Sequence, residues 1–183
     1  MKRIISFVLV IVFLTTAVVS VYGQSEFKEY NGYFIKFQYP VEWESEMKEG
    51  LDYKGLDIDK DKRISFDIPN TKGEGAFTIL IEEIDKKTLD ELFQEEVQST
   101  KETESLLGYK EEILKITDVN LSNQPAKGII IDVEEYDRKI LRILALHDNK
   151  KYSITYRMNS DSFYDHASTI KKIIQSIKFI KNE

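Results

Sequence analysis

The chain has 183 residues, ten Tyr, ten Phe, no Cys and a formal net charge of −6. The absence of cysteine excludes disulfides, zinc–thiolate sites, iron–sulfur clusters, thiol nucleophiles and a lipid anchor on an N-terminal cysteine. The acidic balance disfavours non-specific binding to nucleic acid or anionic lipid. The sequence has no phosphate-binding glycine loop and no basic stripe, so we expect neither a nucleotide nor a nucleic acid as ligand.

Residues 1–23 have the pattern of a secretory signal peptide. Lys2 and Arg3 precede an apolar run, and Val21-Tyr22-Gly23 places small residues at the −3 and −1 positions of a cleavage site. The run also approaches the ~20 residues that span a bilayer, so an uncleaved anchor is the alternative. Membrane contact would then be made through this segment alone.

Both alternatives place one domain, residues 24–183, outside the cytoplasmic membrane. We therefore expect a secreted or extracytoplasmic protein, at the cell surface or in a periplasm-like space. After removal of the signal, 24 basic and 32 acidic residues would give a net charge of −8.

The first predicted elements form a β-hairpin. Asn31-Gly32 is the dipeptide typical of a type I′ turn, and it would join strands over 27–30 and 33–39. Pro40 should end the second strand, and Trp43 should fill the edge of the core. A polar loop is predicted over 44–62.

Two further strands and a helix follow. Strands are predicted over 63–68, with Ile64, Phe66 and Ile68 inward, and over 76–84, with a turn between them. Thr88-Leu89-Asp90-Glu91 is a capping box, and helical spacing of apolar residues then extends to about Glu104, ending before Gly108.

The last third predicts four strands and a helix. The strands cover about 112–121, 126–135, 139–147 and 152–158, and two of them are apolar on both faces, which indicates central strands with a helix layer on each side. Ser160 or Asp161 should cap the final helix, and 176–180 should form a short edge segment. The buried apolar stripe predicted for that helix is Phe163, Ala167, Ile170, Ile174 and Ile177.

Two segments resemble the PsbP family. Residues 32–43, a glycine-aromatic strand running into Pro40 and then Trp43, are similar to the opening of that family. Residues 173–180 resemble its closing segment, with Ile177 in place of the usual Phe, and Asn123-Gln124-Pro125-Ala126 resembles the turn before its central strand. The resemblance extends over roughly 26–181.

The resemblance implies the Mog1/PsbP-like fold: an α+β domain in which an antiparallel sheet of about six to seven strands is sandwiched between helices. It also implies a small extracytoplasmic or lumenal protein without catalysis. Photosystem members of the family stabilise the calcium and manganese of the oxygen-evolving centre, although nothing in this sequence indicates a photosynthetic role.

The best candidate metal ligands are Asp57, Asp59 and Asp61. Their alternate spacing begins a calcium loop, but Lys62 stands where the loop needs Gly and Ile68 where it needs a bidentate Glu. A solvated loop is the simpler interpretation, and weak calcium or manganese binding is the alternative. The acidic run of residues 132–137 is similarly either a solvated turn or a patch for a cation or a basic partner.

The two histidines carry no clear catalytic pattern. His147 stands at a strand end and His166 beside the apolar stripe of the last helix. Ser162 and His166 could touch at i, i+4, but no nucleophile elbow accompanies them. The sequence therefore predicts no catalytic residues, no cofactor beyond weak calcium or manganese, and no enzyme activity.

We expect a non-enzymatic PsbP-like domain that binds or stabilises a protein partner at the outer face of the membrane. A secreted binder of a small ligand or a divalent cation is the alternative. A hydrolase ranks third, and a deep pocket holding a carboxylate and His166 would favour it.

Overall fold

The computed structural model describes residues 26–49 and 62–180. Residues 1–23 and the candidate ligands Asp57, Asp59 and Asp61 lie outside these ranges, so both assignments stay predictions. None of the described helices is long and apolar enough to cross a membrane.

Ten strands and two α-helices make up the described part of the chain. The strands are β1 (Phe27–Asn31), β2 (Ile35–Pro40), β3 (Met47–Glu49), β4 (Arg63–Asp67), β5 (Ala76–Glu83), β6 (Glu112–Leu121), β7 (Gln124–Val133), β8 (Arg138–His147), β9 (Lys150–Asn159) and β10 (Lys178–Phe179); the helices are α1 (Leu89–Leu107) and α2 (Ala167–Ser176). Short 3₁₀ turns cover Val41–Glu46 and Glu134–Tyr136.

Seven strands form one antiparallel sheet in the order β3-β4-β5-β9-β8-β7-β6. Helix α1 packs on one face, where Phe93 and Val97 contact Ile129, Ile131 and Leu144. The other face carries a second layer made of α2 and a three-stranded sheet, β1-β2-β10. The fold is α+β as expected, but strands as well as a helix cover this second face.

The main core lies between the large sheet and this mixed layer. Aromatic rings on β2 pack on β4: the Phe37 and Tyr39 rings lie 6.2 Å and 5.1 Å from that of Phe66. Trp43 is buried at the same place, as predicted. Ile64 and Ile68 are buried beside it, which confirms the inward face predicted for this strand.

The turn of the first hairpin differs from the prediction. Asn31 pairs with Lys36, and the Gly32 N–H donates to the Ile35 carbonyl at 3.0 Å, so the turn is centred on Tyr33 and Phe34. No residue of this turn has a positive φ, and the type I′ assignment to Asn31-Gly32 is wrong. Gly32 serves a close approach instead, because a Cβ there would lie 2.6 Å from the Tyr30 ring.

The start of the last helix was also predicted wrongly. Helix α2 begins at Ala167, after a run of turns, and neither Ser160 nor Asp161 caps it. The Phe163 carbonyl accepts a hydrogen bond from the buried Tyr156 hydroxyl at 2.8 Å, which fixes this run against β9. The predicted apolar stripe is largely confirmed, since its members Phe163, Ile170 and Ile177 are buried and Ile174 packs on the core. It differs in that Ile173 is buried and Ala167 is exposed.

Candidate functional site

Strand β6 is the long open edge of the seven-stranded sheet. It has ten residues, whereas β3 at the opposite edge has three, and no other described strand pairs with its outer side. An open edge presents unpaired backbone N–H and C=O groups that can bind a further strand. The sheet therefore has a hydrogen-bonding surface at β6.

Large apolar side chains are exposed along this edge. Leu114 is 44% exposed, Ile116 53% and Tyr136 55%. The register of β6 on β7 shifts between Ile113 and Lys115, so Leu114 is an extra residue with no partner on β7. The bulge explains why Leu114 points away from the core.

Two tyrosines continue the apolar surface beyond the end of β6. The rings of Tyr109 and Tyr136 lie 4.9 Å apart in an edge-to-face arrangement. Burial, followed by the nearby carboxylate of Glu111, raises the pKa of Tyr109. We call β6 with Tyr109 and Tyr136 the β6 edge.

A polar surface cavity of about 440 Å³ lies at one end of the large sheet, between the β4–β5 turn and the start of α2. It is lined by Ser162 and His166, which were considered in the sequence, and by the charged residues Lys72, Glu74 and Asp165. The structure thus brings His166 and carboxylates to one cavity. In the described chain, however, no hydrogen bond joins Ser162 to His166, and a nucleophile needs such a base.

His147 lies at the opposite end of the sheet. Its ring stacks on Phe179 at 5.1 Å, and its Nε2 atom is buried and has no hydrogen-bond partner among the described residues. The nearest carboxylate oxygen belongs to Asp148, at 3.4 Å. This packing is that of a structural histidine at a strand end.

The acidic run of residues 132–137 does not form a cluster. Asp132 lies 3.7 Å from the Lys139 ammonium and receives a hydrogen bond from Ser160, whereas Glu134, Glu135 and Asp137 are exposed in the following turn. Within residues 26–49 and 62–180, no three His, Asp or Glu side chains converge to hold a metal ion. The run is therefore not a preformed cation site.

No protein-family model matches the sequence, and no curated protein sequence matches it. Solved structures do match. Cyanobacterial PsbP from Synechocystis superposes with a TM-score of 0.62 at 16% identity, and the match covers 87% of this chain and 96% of that one. This chain has the Mog1/PsbP-like fold.

Two more structures with this fold show how far its sequences diverge. A Mog1 protein matches with a TM-score of 0.51 at 12% identity, covering 86% of this chain and 97% of that one. LpqN, described as involved in cell envelope biogenesis of Mycobacterium tuberculosis, matches with a TM-score of 0.53 at 9% identity, covering 85% and 91%. At such low identities, the similarity to these structures shows a shared fold only. A function has to be argued from the surface features of this chain.

Sequence reasoning missed the β6 edge. The strand itself was predicted over the right residues, but its position at the end of the sheet depends on long-range pairing. Leu114 and Ile116 stand on either side of Lys115, a spacing that also suits a half-buried strand. No local signal marked the bulge that exposes Leu114.

Proposed function

We propose that this chain is a non-enzymatic, extracytoplasmic PsbP-like domain that binds a membrane-associated protein partner. The observation that carries the proposal is the β6 edge, a ten-residue open strand beside exposed Leu114, Ile116 and Tyr136. Contiguous exposed apolar side chains beside an open strand favour protein contact over solvent. The partner would add a strand to β6 and cover these side chains.

Two observations support the extracytoplasmic location. The sequence of residues 1–23 has the pattern of a signal peptide or anchor. Among structures with the same fold, LpqN is described as involved in cell envelope biogenesis. An export signal in front of a domain of this fold supports a role at the outer face of the membrane.

Purification of the complex from membranes of the native host tests the proposal. The tagged full-length chain is solubilised in a mild detergent, and the mass of the complex is measured by native mass spectrometry. The double variant Leu114→Ser/Ile116→Ser should release the partner, because it removes apolar contact area while keeping the strand. Equal melting temperatures for both chains would show that the variant is folded.

A matched control removes apolar side chains of similar exposure elsewhere. Val41 is 38% exposed and Tyr164 63% exposed, and both lie away from β6. Val41→Ser/Tyr164→Ser should leave the complex intact. A complex that survives Leu114→Ser/Ile116→Ser, or that both double variants weaken equally, would contradict partner binding at the β6 edge.

Binding of a small ligand or a divalent cation is the second candidate. The polar cavity beside His166 supports a small ligand, and the alternate carboxylates of Asp57, Asp59 and Asp61 support weak calcium or manganese binding. Either cation, if it binds the folded state selectively, raises the melting temperature in a saturable way. The rise should disappear in the Asp57→Asn/Asp59→Asn/Asp61→Asn variant, and no shift at millimolar cation would exclude the cation site.

A further inference from the structure

The arginines of the chain are concentrated on one face of the large sheet. The sequence has five arginines, and the four that follow Arg3 lie on β4, β8 and β9. On each strand they alternate with residues that are buried against the second layer. They therefore all point to the α1 side of the sheet: Arg63, Arg138, Arg142 and Arg157.

The strand register brings three of the four together. Arg157 on β9 pairs with Ile140 on β8, so Arg138 and Arg142 are its two diagonal neighbours, at Cα separations of about 7–8 Å. Arg142 forms an ion pair with Glu96 of α1. Among the described residues, no salt bridge joins Arg63, Arg138 or Arg157 to a carboxylate.

Hydroxyl groups lie beside these arginines on the same face. Ser65, Thr78 and Thr155 form one cross-strand row on β4, β5 and β9, and the row ends at Arg142 on β8. The Ser65 and Thr78 hydroxyl oxygens lie 3.0 Å apart. Four adjacent strands span about 14 Å, so this is an extended surface of guanidinium and hydroxyl donors. We call it the arginine face.

The electrostatics of the arginine face favour an anion. Burial lowers the pKa of Arg157, the positive charges of Arg138 and Arg63 lower it further, and Asp67 opposes them. The register places Asp67 on this face, two strands from Arg157, so its carboxylate offsets part of the positive charge. Three guanidinium groups without a salt bridge to a described carboxylate still outnumber it, and like charges held this close favour binding of a further negative group. A positive surface of this kind stands out on a chain with a net charge of −6.

We propose that the arginine face binds an acidic segment of a partner protein, rich in Asp or Glu and lying across β4, β5, β9 and β8. Guanidinium groups match carboxylates in bidentate geometry, and Ser and Thr hydroxyls can donate to the same oxygens. The donors are spread along a sheet face, which suits an extended chain carrying several carboxylates. This surface is distinct from the β6 edge, so it can be correct whether or not the β6 edge binds a partner.

Binding of a fluorescent octaglutamate peptide to the full-length chain, in a zwitterionic detergent, tests this inference. Fluorescence anisotropy should show saturable binding that weakens as salt is raised. Arg138→Gln/Arg157→Gln should weaken binding at least about tenfold, since it removes two charge-assisted pairs. The octaglutamate affinity of Arg138→Lys/Arg157→Lys should lie between those of the unmodified chain and the Gln variant, because lysine keeps the charge and loses the bidentate geometry.

The matched control is Lys171→Gln/Lys178→Gln, which removes two exposed positive charges from the second layer. It should bind octaglutamate like the unmodified chain. Equal losses in the two Gln double variants would show a net-charge effect and overturn the inference. Absence of peptide binding, or displacement by an equal concentration of inorganic phosphate, would also overturn it, since a free anion would then suffice.

Discussion

At the scale of single residues, one largely buried electrostatic contact is the ion pair between Glu96 and Arg142. The side chains are only 21% and 27% exposed, and the pair joins α1 to the large sheet. Burial lowers the pKa of Arg142, because its guanidinium group is poorly solvated. Removing one member of such a pair leaves a poorly solvated charge.

Glu96→Ala should therefore lower the free energy of unfolding by about 2 kcal/mol. Removing one partner of a fully buried pair costs about 3–5 kcal/mol, and the partial exposure of Glu96 and Arg142 reduces this cost. Glu96→Leu/Arg142→Met should cost less than Glu96→Ala, because it removes both charges together. Urea unfolding of the parent chain and the two variants measures these differences, and a change below about 0.5 kcal/mol for Glu96→Ala would contradict the assignment.

Two buried tyrosines make stability depend on alkaline pH. Burial, with a smaller contribution from Asp148, raises the pKa of Tyr152 to about 12, and burial with Asp165 raises that of Tyr156 still further. Both phenols are neutral in the folded state and ionise near pH 10 when unfolded. The contribution of these neutral phenols to the free energy of unfolding is thus complete below pH 10. It is lost as the pH rises above 10 towards their higher pKa values in the folded state.

Each of these tyrosines should reduce the free energy of unfolding by about 1.4 kcal/mol per pH unit above pH 10. Urea unfolding between pH 8 and pH 11.5 measures the slope. Tyr152→Phe and Tyr156→Phe should each make it shallower, and Tyr156→Phe should also cost about 1–2 kcal/mol at neutral pH, because the Phe163 carbonyl loses its donor. Equal slopes in all three proteins would show that these phenols are solvated.

At the scale of elements, the start of α1 is fixed by local hydrogen bonds. The Thr88 N–H donates to the Glu91 carboxylate at 2.8 Å, and the Glu91 N–H donates to the Thr88 hydroxyl at 3.2 Å. The Thr88 hydroxyl also donates to the Glu91 carboxylate, at 2.8 Å. The bond from the Thr88 backbone N–H, followed by this hydroxyl bond, lowers the pKa of Glu91. The ionised Glu91 carboxylate therefore stabilises the folded state fully at pH values above its pKa in the unfolded chain. This stabilisation is lost as the pH falls through the lower pKa that Glu91 has in the folded state.

Thr88→Ala should therefore destabilise the protein by about 1 kcal/mol, and Thr88→Ser should restore most of the loss. Thermal and urea unfolding at pH 7 measure both variants. An alanine variant as stable as the parent chain would show that tertiary packing alone fixes the beginning of α1.

The elements that the sequence predicts well are those determined locally. The capping box of α1 forms as expected. Turns at Ser122-Asn123 and Asp148-Asn149 lie in the gaps left between the predicted strands, and all four turn residues have positive φ values between 46° and 60°. The turn at Tyr33-Phe34 was missed because tertiary contacts determine it: the Phe34 carbonyl accepts the Ile180 N–H at 3.0 Å. The β6 edge and the arginine face depend still more on tertiary contacts.

The arginine face and the β6 edge show why the sites could not be predicted. Arg63, Arg138 and Arg157 are far apart in sequence, and only the strand order 4-5-9-8 brings them to one face. The β6 edge depends on a bulge and on the absence of a further described strand beyond it. Both are properties of strand pairing, whereas the sequence pattern indicates only which residues are apolar.

At the scale of the whole molecule, the described domain has one layer packed on each face of a seven-stranded sheet. The sequence pattern of residues 1–23, which precede it, predicts export. If the segment is cleaved as we expect, mass spectrometry of the protein from its native host should find Gln24 as the first residue. Protease added to intact cells or spheroplasts should then reach the domain. A chain that begins at Met1 and is protected from the protease would contradict export.

The account depends most on contact between the β6 edge and a partner at the membrane. A photoreactive benzoylphenylalanine placed at Ile116, in the full-length chain expressed in its native host, tests this contact in place. We expect one discrete crosslinked adduct in the membrane fraction, and none when the same group replaces Lys171 on the outer side of α2. Irradiation that gives no adduct at Ile116, or the same adducts at both positions, would contradict the proposal that this domain binds a partner through the β6 edge.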